Sequence, residues 1–256
     1  MAANAAFPFL DWPGPIAFAH RGGASEVPEN TMPAFEHAVR LGYRYVETDV
    51  HVTSDGELLA FHDDRLDRVT DAIGVIADLP WDRVRHARVD GREPIPRFED
   101  LLGTWPQLRV NVDPKHDAAV EPLAEVLRRT GAVDRVCVGA FSDKRLARLQ
   151  AQVGGELCMS MGPRQVARLV AASRNLPGGS NITAPCAQVP THQRGLPIVT
   201  DRFVSAAHRR GVQVHVWTID DPAEMTRLLD LGVDGIMTDR PQALKDVLLE
   251  RGEWHE

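Results

Sequence analysis

The segment VQVHVWTIDDPAEMTRLLDLGVDGIMTDRPQALKDVLL (212–249) decides the fold, because it contains two short apolar runs that are each followed by a helical pattern. The runs VQVHVW (212–217) and DGIMT (234–238) have the length and composition of buried strands. Helical patterns cover 222–231 and 241–249. Alternation of this kind indicates a parallel sheet whose strands are connected by helical crossovers.

The same alternation extends over most of the chain. Six further candidate strands precede these two, at 16–20, 45–49, 108–113, 135–140, 157–161 and 181–185. Helical patterns lie between most of them, at 32–41, 119–129, 143–153, 164–174 and 201–210. Eight strands with intervening helices predict an α/β fold of the (β/α)8 TIM-barrel type, and a doubly wound parallel sheet is the alternative.

Residues 50–105 depart from the strand–helix repeat. They contain a candidate β-hairpin, a polar stretch and a proline-containing segment with a short helix. We interpret them as an insertion between the second strand and its helix. No internal repeat, low-complexity tract or Gly/Ser-rich linker divides the chain, so we predict a single domain over residues 1–256.

The composition is that of a globular protein with a large core, since 43% of the 256 residues are hydrophobic and 25% are charged. The net charge is −7 and no basic run dominates, so a nucleic-acid partner is not expected. The N-terminal residues lack a basic start and a long apolar run, so we expect a cytoplasmic protein without stable membrane insertion. The three cysteines have no partner spacing and are expected to be small buried thiols: Cys137, Cys158 and Cys186.

Side-chain alternation along two strands places polar groups on one face. In 212–217 the valines are expected to face the covering helices, and the opposite face carries Gln213, His215 and Trp217. In 108–113 the apolar residues likewise oppose Arg109, Asn111 and Asp113, with Lys115 just beyond. Polar groups on a buried strand are costly unless they meet partners, water or a ligand. Two such strands predict a polar site at the mouth of the barrel, at the C-terminal ends of the strands.

The stretch VETDVHVTSDGELLAFHDD (46–64) reads as a hairpin with Asp55-Gly56 as a two-residue type I′ turn. This register places Asp49 directly opposite His62, with Glu47 two residues away on the same face. The three side chains are then expected within roughly 5–8 Å of one another.

Two carboxylates held this close repel each other, and a divalent cation removes the repulsion. Carboxylate oxygens suit Mg²⁺ or Ca²⁺ in sites that water or a substrate phosphate completes. Asp113, on the polar face of the next strand, is a candidate third ligand. Lys115 supplies a positive charge for an anionic ligand.

The first strand delivers further polar groups to the same rim, because IAFAHRGG (16–23) ends in His20 and Arg21. An arginine offers a bidentate fork for phosphate, and a histidine can transfer protons near neutral pH. Asn30 or Thr31 in the following PENTMPAF can cap a helix.

These motifs together resemble the glycerophosphodiester phosphodiesterase family. The resemblance runs through HRGGASEVPENTMPAF, VETDVHVTSDG and FHDDRLDRVT, with support from VWTIDD and GVDGIMTDRP, and spans residues 16–245. It implies a TIM barrel with an insertion after the second strand, and metal-dependent hydrolysis of glycerophosphodiesters to an alcohol and sn-glycerol 3-phosphate.

The resemblance also implies roles for individual residues. His20 and His62 would be the acid/base pair, Arg21 a phosphate ligand, Glu47 and Asp49 ligands of one divalent cation, Mg²⁺ or Ca²⁺, and Trp217 part of the substrate pocket near the alcohol. The family usually has Glu-x-Lys where this chain has Asp113-Pro114-Lys115. The shorter aspartate withdraws its carboxylate by one methylene, about 1.5 Å. The third metal ligand is therefore the point at which this chain departs from the family.

Two alternatives use the same residues. One is a lysophospholipase D acting on single-chain phospholipids, which needs an apolar trough beside the site. The apolar residues of the insertion would supply the trough: Ile73, Val75, Ile76, Leu79 and Trp81. The other alternative is a barrel that binds a phosphorylated ligand without catalysis.

Overall fold

The computed structural model describes residues 7–256 and contains eight parallel strands arranged as a barrel. In chain order, these first to eighth barrel strands are Ile16–His20, Tyr45–Val52, Arg109–Pro114, Val136–Val138, Cys158–Met159, Cys186–Pro190, Gln213–Trp217 and Gly235–Thr238. Strands that are consecutive in the chain are neighbours in the sheet, and the eighth strand pairs with the first. This order confirms the (β/α)8 barrel, because a doubly wound sheet would reverse its strand order at one point.

The barrel closes between the fifth and sixth strands through a single parallel bridge, Ser160 to Cys186. Two hydrogen bonds support this junction, which we call the closing seam. Met161 N donates to Cys186 O at 2.9 Å, and Gln188 N donates to Ser160 Oγ at 3.2 Å. The seam is therefore held by fewer bonds than the second and third strands, which share a six-residue register.

Helices follow the strands and cover the outside of the barrel. The nine α-helices of residues 7–256 are Met32–Arg40, Trp81–Val84, Phe98–Thr104, Val120–Thr130, Asp143–Val153, Pro163–Ser173, Asp201–His208, Pro222–Asp230 and Pro241–Glu250. Several begin at a side-chain cap; for example, Thr31 Oγ1 accepts a hydrogen bond from Ala34 N at 3.3 Å. None of the helices within residues 7–256 combines the length and apolar character needed to cross a bilayer.

The sixth strand lies at Cys186–Pro190, so the prediction of a strand at 181–185 was wrong by about one strand length. The backbone of 181–185 is hydrogen-bonded by a side chain instead of by a neighbouring strand. The Gln165 side-chain oxygen accepts from Thr183 N at 2.9 Å and from Ala184 N at 3.1 Å. Asn181 has a left-handed φ of 58°. The side-chain amide of a helix residue thus takes the hydrogen bonds that a sheet would have used.

Between the second and third barrel strands the chain leaves the strand–helix repeat, in the region where the sequence also lacks it. Leu58–Ala60 pairs antiparallel with the second strand, and Arg88–Val89 pairs with Glu93–Pro94. With helices Trp81–Val84 and Phe98–Thr104, this segment has a small apolar core of its own, made by Leu59, Phe61, Leu66, Ile76, Val84, Ala87, Val89 and Ile95.

The N-terminal end of the barrel is closed by residues 7–11, which include the 3₁₀ helix Pro8–Leu10. Tyr45 Oη donates to Phe9 O at 2.8 Å, and Gln213 Nε2 donates to Leu10 O at 3.2 Å. Phe9 and Leu10 are buried inside the barrel. With this end closed, the open mouth is at the C-terminal ends of the strands, where the sequence places the polar groups.

Candidate active site

His20 is the last residue of the first strand and lies at the mouth of the barrel. Its Nδ1 is 2.6 Å from Asp239 Oδ1, just beyond the eighth strand, and its Nε2 is 3.7 Å from Glu47 Oε2. Burial alone would lower the pKa of His20, but the negative charge of Glu47 and the hydrogen bond to Asp239 outweigh it and raise the pKa above its ordinary value. Asp239 thus orients the ring and leaves Nε2 as the nitrogen that faces the carboxylates.

Glu47 and Asp49 are two residues apart on the second strand and are 5% and 2% exposed. Parallel pairing places Asp49 beside Asp113 of the third strand. Burial, with the charge of Asp49 next in size, raises the pKa of Glu47 to about 7. Burial also raises the pKa of Asp113. The mouth therefore collects carboxylates in a place where water does not stabilise their negative charge.

Lys115 lies between two of these carboxylates. Its Nζ is 2.6 Å from Asp49 Oδ1 and 3.0 Å from Asp113 Oδ2. Burial alone would lower the pKa of Lys115, but the two aspartates outweigh it and raise the pKa, so the side chain carries its positive charge. The structure thus places the predicted Lys115 and Asp113 in one cluster with Asp49.

Arg21 directly follows the first strand in a left-handed conformation, with φ 52°. Its backbone N donates to Glu47 Oε2 at 3.2 Å, and its guanidinium lies between Glu29 (3.1 Å) and Asp49 (3.5 Å). The next residue, Gly22, has φ 81°, and a Cβ there would come within 2.7 Å of the Ala34 Cβ. The sequence His-Arg-Gly is therefore required to turn the chain sharply while the arginine stays beside the carboxylates.

The predicted hairpin register was wrong by one residue. Val50 pairs with Ala60, and Phe61 N donates to Asp49 O at 2.9 Å, so Phe61 and not His62 lies opposite Asp49. The loop has three residues, 54–56, because Thr53 N donates to Glu57 O at 3.0 Å. Gly56 takes the positive φ of 95° that such a loop needs at its last position.

Side-chain hydrogen bonds explain why the three-residue loop forms. Thr53 Oγ1 accepts from Glu57 N at 2.9 Å and donates to Asp55 Oδ1 at 2.5 Å. Asp55 Oδ1 also accepts from Trp81 N at 2.9 Å, so the loop is tied to the helix that follows. A two-residue turn at Asp55-Gly56 would lose these bonds.

His62 nevertheless lines the same mouth, because it lies just past the hairpin strand in a cleft shared with Lys115 and His51. His51 Nε2 hydrogen-bonds to the His62 carbonyl oxygen at 2.9 Å. The His62 ring is one-third exposed, and its Nδ1 is 2.6 Å from Asp63 Oδ1. His62 thus repeats the arrangement of His20: a carboxylate on Nδ1, with Nε2 left available.

Arg68, which the sequence analysis did not select, connects these groups. Arg68 donates to Asp63 Oδ2 at 2.5 Å and to Glu29 Oε1 at 2.6 Å, and Glu29 also binds Arg21. The hydrogen bond from Arg68 is the largest cause that lowers the pKa of Asp63, to about 2. Arg68 therefore joins the carboxylate that holds His62 to the carboxylate that holds Arg21.

The sequence analysis also did not select Asp239 as a site residue, although Asp239 is part of GVDGIMTDRP, one of the segments that resemble the family. Asp220 supports its position: Asp220 Oδ1 accepts from Asp239 N at 2.8 Å and from Thr238 Oγ1 at 2.9 Å. An aspartate at the end of the last barrel strand is the signal that could have found it, since that position reaches the mouth.

Trp217 ends the seventh strand and is half-buried beside Phe141, with ring centroids 5.8 Å apart at 86°. Phe141 is 69% exposed, so the pair presents an aromatic surface at the rim. His215, two residues earlier on the same strand, is completely buried below the mouth. The substrate-binding role of Trp217 stays a prediction.

The carboxylate cluster fits a divalent cation by its chemistry. Asp49 Oδ2 and Asp113 Oδ1 are buried and accept no hydrogen bond. Such hard, unsatisfied oxygens are the ligands that Mg²⁺ and Ca²⁺ prefer. The carboxylates are loosely spaced, since no three of them within residues 7–256 offer ligand atoms that all lie within 4.8 Å of one another. In that part of the chain the three cysteines are the one set of potential metal ligands that does.

The comparison with known proteins agrees with this geometry. Residues 20–243 match the model of the glycerophosphoryl diester phosphodiesterase family. The chain belongs to this family. A family member from Mycobacterium tuberculosis (strain ATCC 25618 / H37Rv), named "Probable glycerophosphodiester phosphodiesterase 2", is 41% identical over 254 residues, which cover 96% of this chain and 95% of that protein.

Solved structures of glycerophosphodiester phosphodiesterases and related enzymes share the fold. The crystal structure of glycerophosphodiester phosphodiesterase from Agrobacterium tumefaciens superposes with a TM-score of 0.75 at 22% identity, covering 91% of this chain and 99% of that chain. An Oleispira antarctica phosphodiesterase, solved in complex with its product sn-glycerol-3-phosphate, gives a TM-score of 0.77 at 22% identity, covering 91% and 96%.

Proposed function

We propose that the mouth of the barrel hydrolyses glycerophosphodiesters to an alcohol and sn-glycerol 3-phosphate, with the assistance of one divalent cation. The observation that carries the proposal is the pair of imidazoles His20 and His62, each held by a carboxylate at Nδ1, at the same mouth as a buried cluster of carboxylates and side-chain cations. Membership of the family and the product complex of a structural relative support the substrate class.

Glu47, Asp49 and Asp113 would hold the cation, Mg²⁺ or Ca²⁺. When bound, it supplies a positive charge that neutralises oxygens of the phosphodiester as negative charge builds on them. Asp113 is one methylene shorter than the glutamate usual in the family, and its parallel pairing with Asp49 keeps the two aspartates on neighbouring positions of adjacent strands.

Arg21 and Lys115 would bind the phosphate of the substrate. Both are fixed by carboxylates before substrate arrives, Arg21 by Glu29 and Lys115 by Asp113. A side-chain cation held in this way needs little reorganisation when the phosphate binds, so its positive charge is available as the transition state develops.

The two histidines would move the protons of the reaction. The attacking oxygen, from water or from a neighbouring hydroxyl of the substrate, forms the new bond to phosphorus and gives its proton to the Nε2 of one imidazole. The bond from phosphorus to the leaving alcohol breaks, and the other imidazole donates a proton from its Nε2 to that oxygen. Attack by water gives sn-glycerol 3-phosphate directly, whereas attack by the neighbouring hydroxyl gives a cyclic phosphate, which a water molecule then opens to sn-glycerol 3-phosphate. Asp239 and Asp63 stabilise whichever imidazole is positively charged, because each accepts the hydrogen bond from Nδ1.

The structure gives little support to a trough for a lysophospholipid within residues 50–105. Ile76 is buried, and Leu79 and Trp81 pack against the small core of that segment. Of the five residues that would supply the trough, only Ile73 is strongly exposed, at 81%. A barrel that only binds a phosphorylated ligand is less well supported, because it would have no need for two oriented imidazoles.

An assay with three substrates tests the proposal. Glycerophosphocholine, glycerophosphoethanolamine and lysophosphatidylcholine are each incubated with the protein in EDTA, Mg²⁺ or Ca²⁺, and released sn-glycerol 3-phosphate and free alcohol are measured. We expect the two glycerophosphodiesters to be hydrolysed with at least one of the metals and not in EDTA. Preference for lysophosphatidylcholine would favour the lysophospholipase D, and no turnover of any diester would favour the binding protein.

A further inference from the structure

Three cysteine sulfurs meet inside the barrel, below the mouth. Cys137, Cys158 and Cys186 are on the fourth, fifth and sixth strands, and their sulfurs all lie within 4.8 Å of one another. The sulfurs of Cys137 and Cys186 are 3.9 Å apart. All three residues are buried and none is in a disulfide. The sequence analysis predicted their burial correctly, and it missed their proximity because contacts between strands do not appear as a spacing in the chain.

The hydrolytic site does not use this cluster. Two residues after each cysteine, and nearer the mouth, lie Gly139, Ser160 and Gln188. Gln188 closes the space above, because its Nε2 donates to Asn111 Oδ1 at 2.7 Å and its Oε1 is 2.9 Å from where a Cβ of Gly139 would be. Around the sulfurs lie apolar side chains of the barrel interior, including Phe9, Phe18 and Met237. A phosphodiester at the mouth would not reach the thiols.

We propose that these three thiols bind one Cu(I) ion. Sulfur ligands select soft cations such as Cu(I). Three sulfurs that all have the Cys137–Cys186 separation of 3.9 Å would hold a central cation about 2.3 Å from each, a normal distance from a metal to a thiolate sulfur, and the three sulfurs here lie within 4.8 Å of one another. Zn²⁺ prefers four ligands in a tetrahedron, whereas Cu(I) is satisfied with three, which is the number of sulfurs that meet here.

The charge balance also favours a monovalent cation. Cu(I) forms a bond to one cysteine sulfur, which releases its proton, while the other two thiols donate sulfur lone pairs and keep their protons. No atom changes oxidation state, and the site remains neutral. A divalent ion on a single thiolate would leave a net positive charge in an apolar interior, and each further thiolate must give up a proton from a buried group.

Binding would also strengthen the barrel at its weakest junction. Cys158 and Cys186 lie on opposite sides of the closing seam, where one bridge connects the fifth and sixth strands. An ion bound to both sulfurs links these strands directly. The folded protein, which presents three thiols together, binds the ion more tightly than the unfolded chain, so the ion raises the melting temperature.

The experiment is a titration of the reduced, full-length protein with Cu(I) under anaerobic conditions, in competition with bicinchoninate. We expect one Cu(I) per chain, a higher melting temperature, and an X-ray absorption spectrum with about three sulfur neighbours near 2.3 Å. These cysteines are all that the chain contains, so no other thiol competes. Sub-stoichiometric binding, or a first shell of nitrogen and oxygen, overturns the proposal.

Matched variants locate the ion. Cys137→Ala, Cys158→Ala and Cys186→Ala should each weaken Cu(I) binding by at least ~10²-fold, beyond the ~10–100-fold effect of losing an outer partner of a ligand. Met159→Leu is the control, because it removes a sulfur from the opposite face of the fifth strand, in the outer core. Glycerophosphodiester hydrolysis by each variant reports whether it folds. Unchanged Cu(I) affinity in any folded alanine variant, or equal loss in Met159→Leu, overturns the assignment.

Discussion

His20 and Asp239 are 219 residues apart in the chain, and their side chains are 2.6 Å apart at the mouth of the barrel. The contact forms because the first strand pairs with the eighth, so the ends of both strands reach the same rim. The imidazole that the sequence identifies as catalytic is therefore oriented by a residue at the opposite end of the chain.

Asp239→Asn tests this relationship. The amide can still contact His20 Nδ1, but it cannot stabilise the imidazolium, so we expect kcat to fall by at least ~10-fold, with KM little changed. The pKa of His20 should also fall, which moves the pH profile of kcat. Asp221→Asn is the control, because Asp221 caps the exposed start of a neighbouring helix. Equal kcat values and identical pH profiles for the wild type and Asp239→Asn would contradict the role.

Removal of either imidazole should be more severe. His20→Ala and His62→Ala are each expected to lower kcat by at least ~10²-fold, the usual contribution of one acid or base. His86→Ala, an exposed histidine outside the site, serves as the control and should be unaffected. Steady-state kinetics on glycerophosphocholine measure the effect. Near-normal turnover by a folded variant of His20 or His62 would refute the proton-transfer scheme.

Arg68 is expected to act through position and not through contact with substrate. Arg68→Gln releases Asp63 and Glu29, which hold His62 and Arg21, so we expect kcat to fall by about 10-fold. Stability should change by less than about 1 kcal/mol, because Arg68 is half exposed. Arg65→Gln is closely matched, since Arg65 is equally exposed and pairs only with Asp67 among the described residues. Equal loss of activity in Arg68→Gln and Arg65→Gln would show that the hydrogen bonds of Arg68 to Asp63 and Glu29 have no special role in catalysis.

The substitution Asp113→Asn tests the third metal ligand. The amide is a weaker ligand for a divalent cation, so the concentration of Mg²⁺ or Ca²⁺ needed for half-maximal activity should rise at least ~10-fold. Asp113→Glu restores the residue usual in the family and should retain the metal response of the wild type. The measurement is activity against metal concentration after EDTA treatment. An unaltered metal requirement in Asp113→Asn would exclude Asp113 as a ligand.

The two tyrosines provide a pH test of the closed end of the barrel. Burial raises the pKa of Tyr43 well above its ordinary value and that of Tyr45 to about 12. Unfolded tyrosines lose their protons near pH 10, so the free energy of unfolding should decrease as pH rises from about 10 to about 12. The native protein should show little phenolate absorbance at about pH 10.5, and in the urea-unfolded protein both phenols should be about three-quarters ionised. A normal tyrosine titration in the native protein would contradict the burial.

The parts of the fold that depend on local patterns were predictable. Helix Asp143–Val153 and strand Ile16–His20 have the predicted bounds, because each is marked by apolar periodicity within a few residues. The sixth strand was misplaced because NITAP has the composition of a strand, while a distant side chain, Gln165, binds its backbone. Hydrogen bonds between remote residues have no counterpart in a periodic pattern.

The candidate site was likewise predictable where local patterns determine it and not where contacts between remote residues do. Glu47, Asp49 and Lys115 were found from alternation along strands, and the structure places them together at the mouth. The hairpin register failed because Thr53 and Asp55 select a three-residue loop through their side chains. Arg68 could not be derived from spacing, since it binds Glu29, which is close only in the folded chain, whereas Asp239 could have been found only from its position at the end of the last strand.

The closed end of the barrel has a consequence for the protein during its synthesis. Residues 7–11 leave the ribosome long before Gln213, which is 203 residues after Leu10 in the chain and donates to the Leu10 carbonyl. One edge of the first strand likewise pairs with the eighth strand, through bonds such as that from Ile16 N to Asp234 O at 2.8 Å. A nascent chain therefore carries a first strand with one unpaired edge and an exposed aromatic segment until the eighth strand has been translated, and chaperones that shield such segments have a target there during that time.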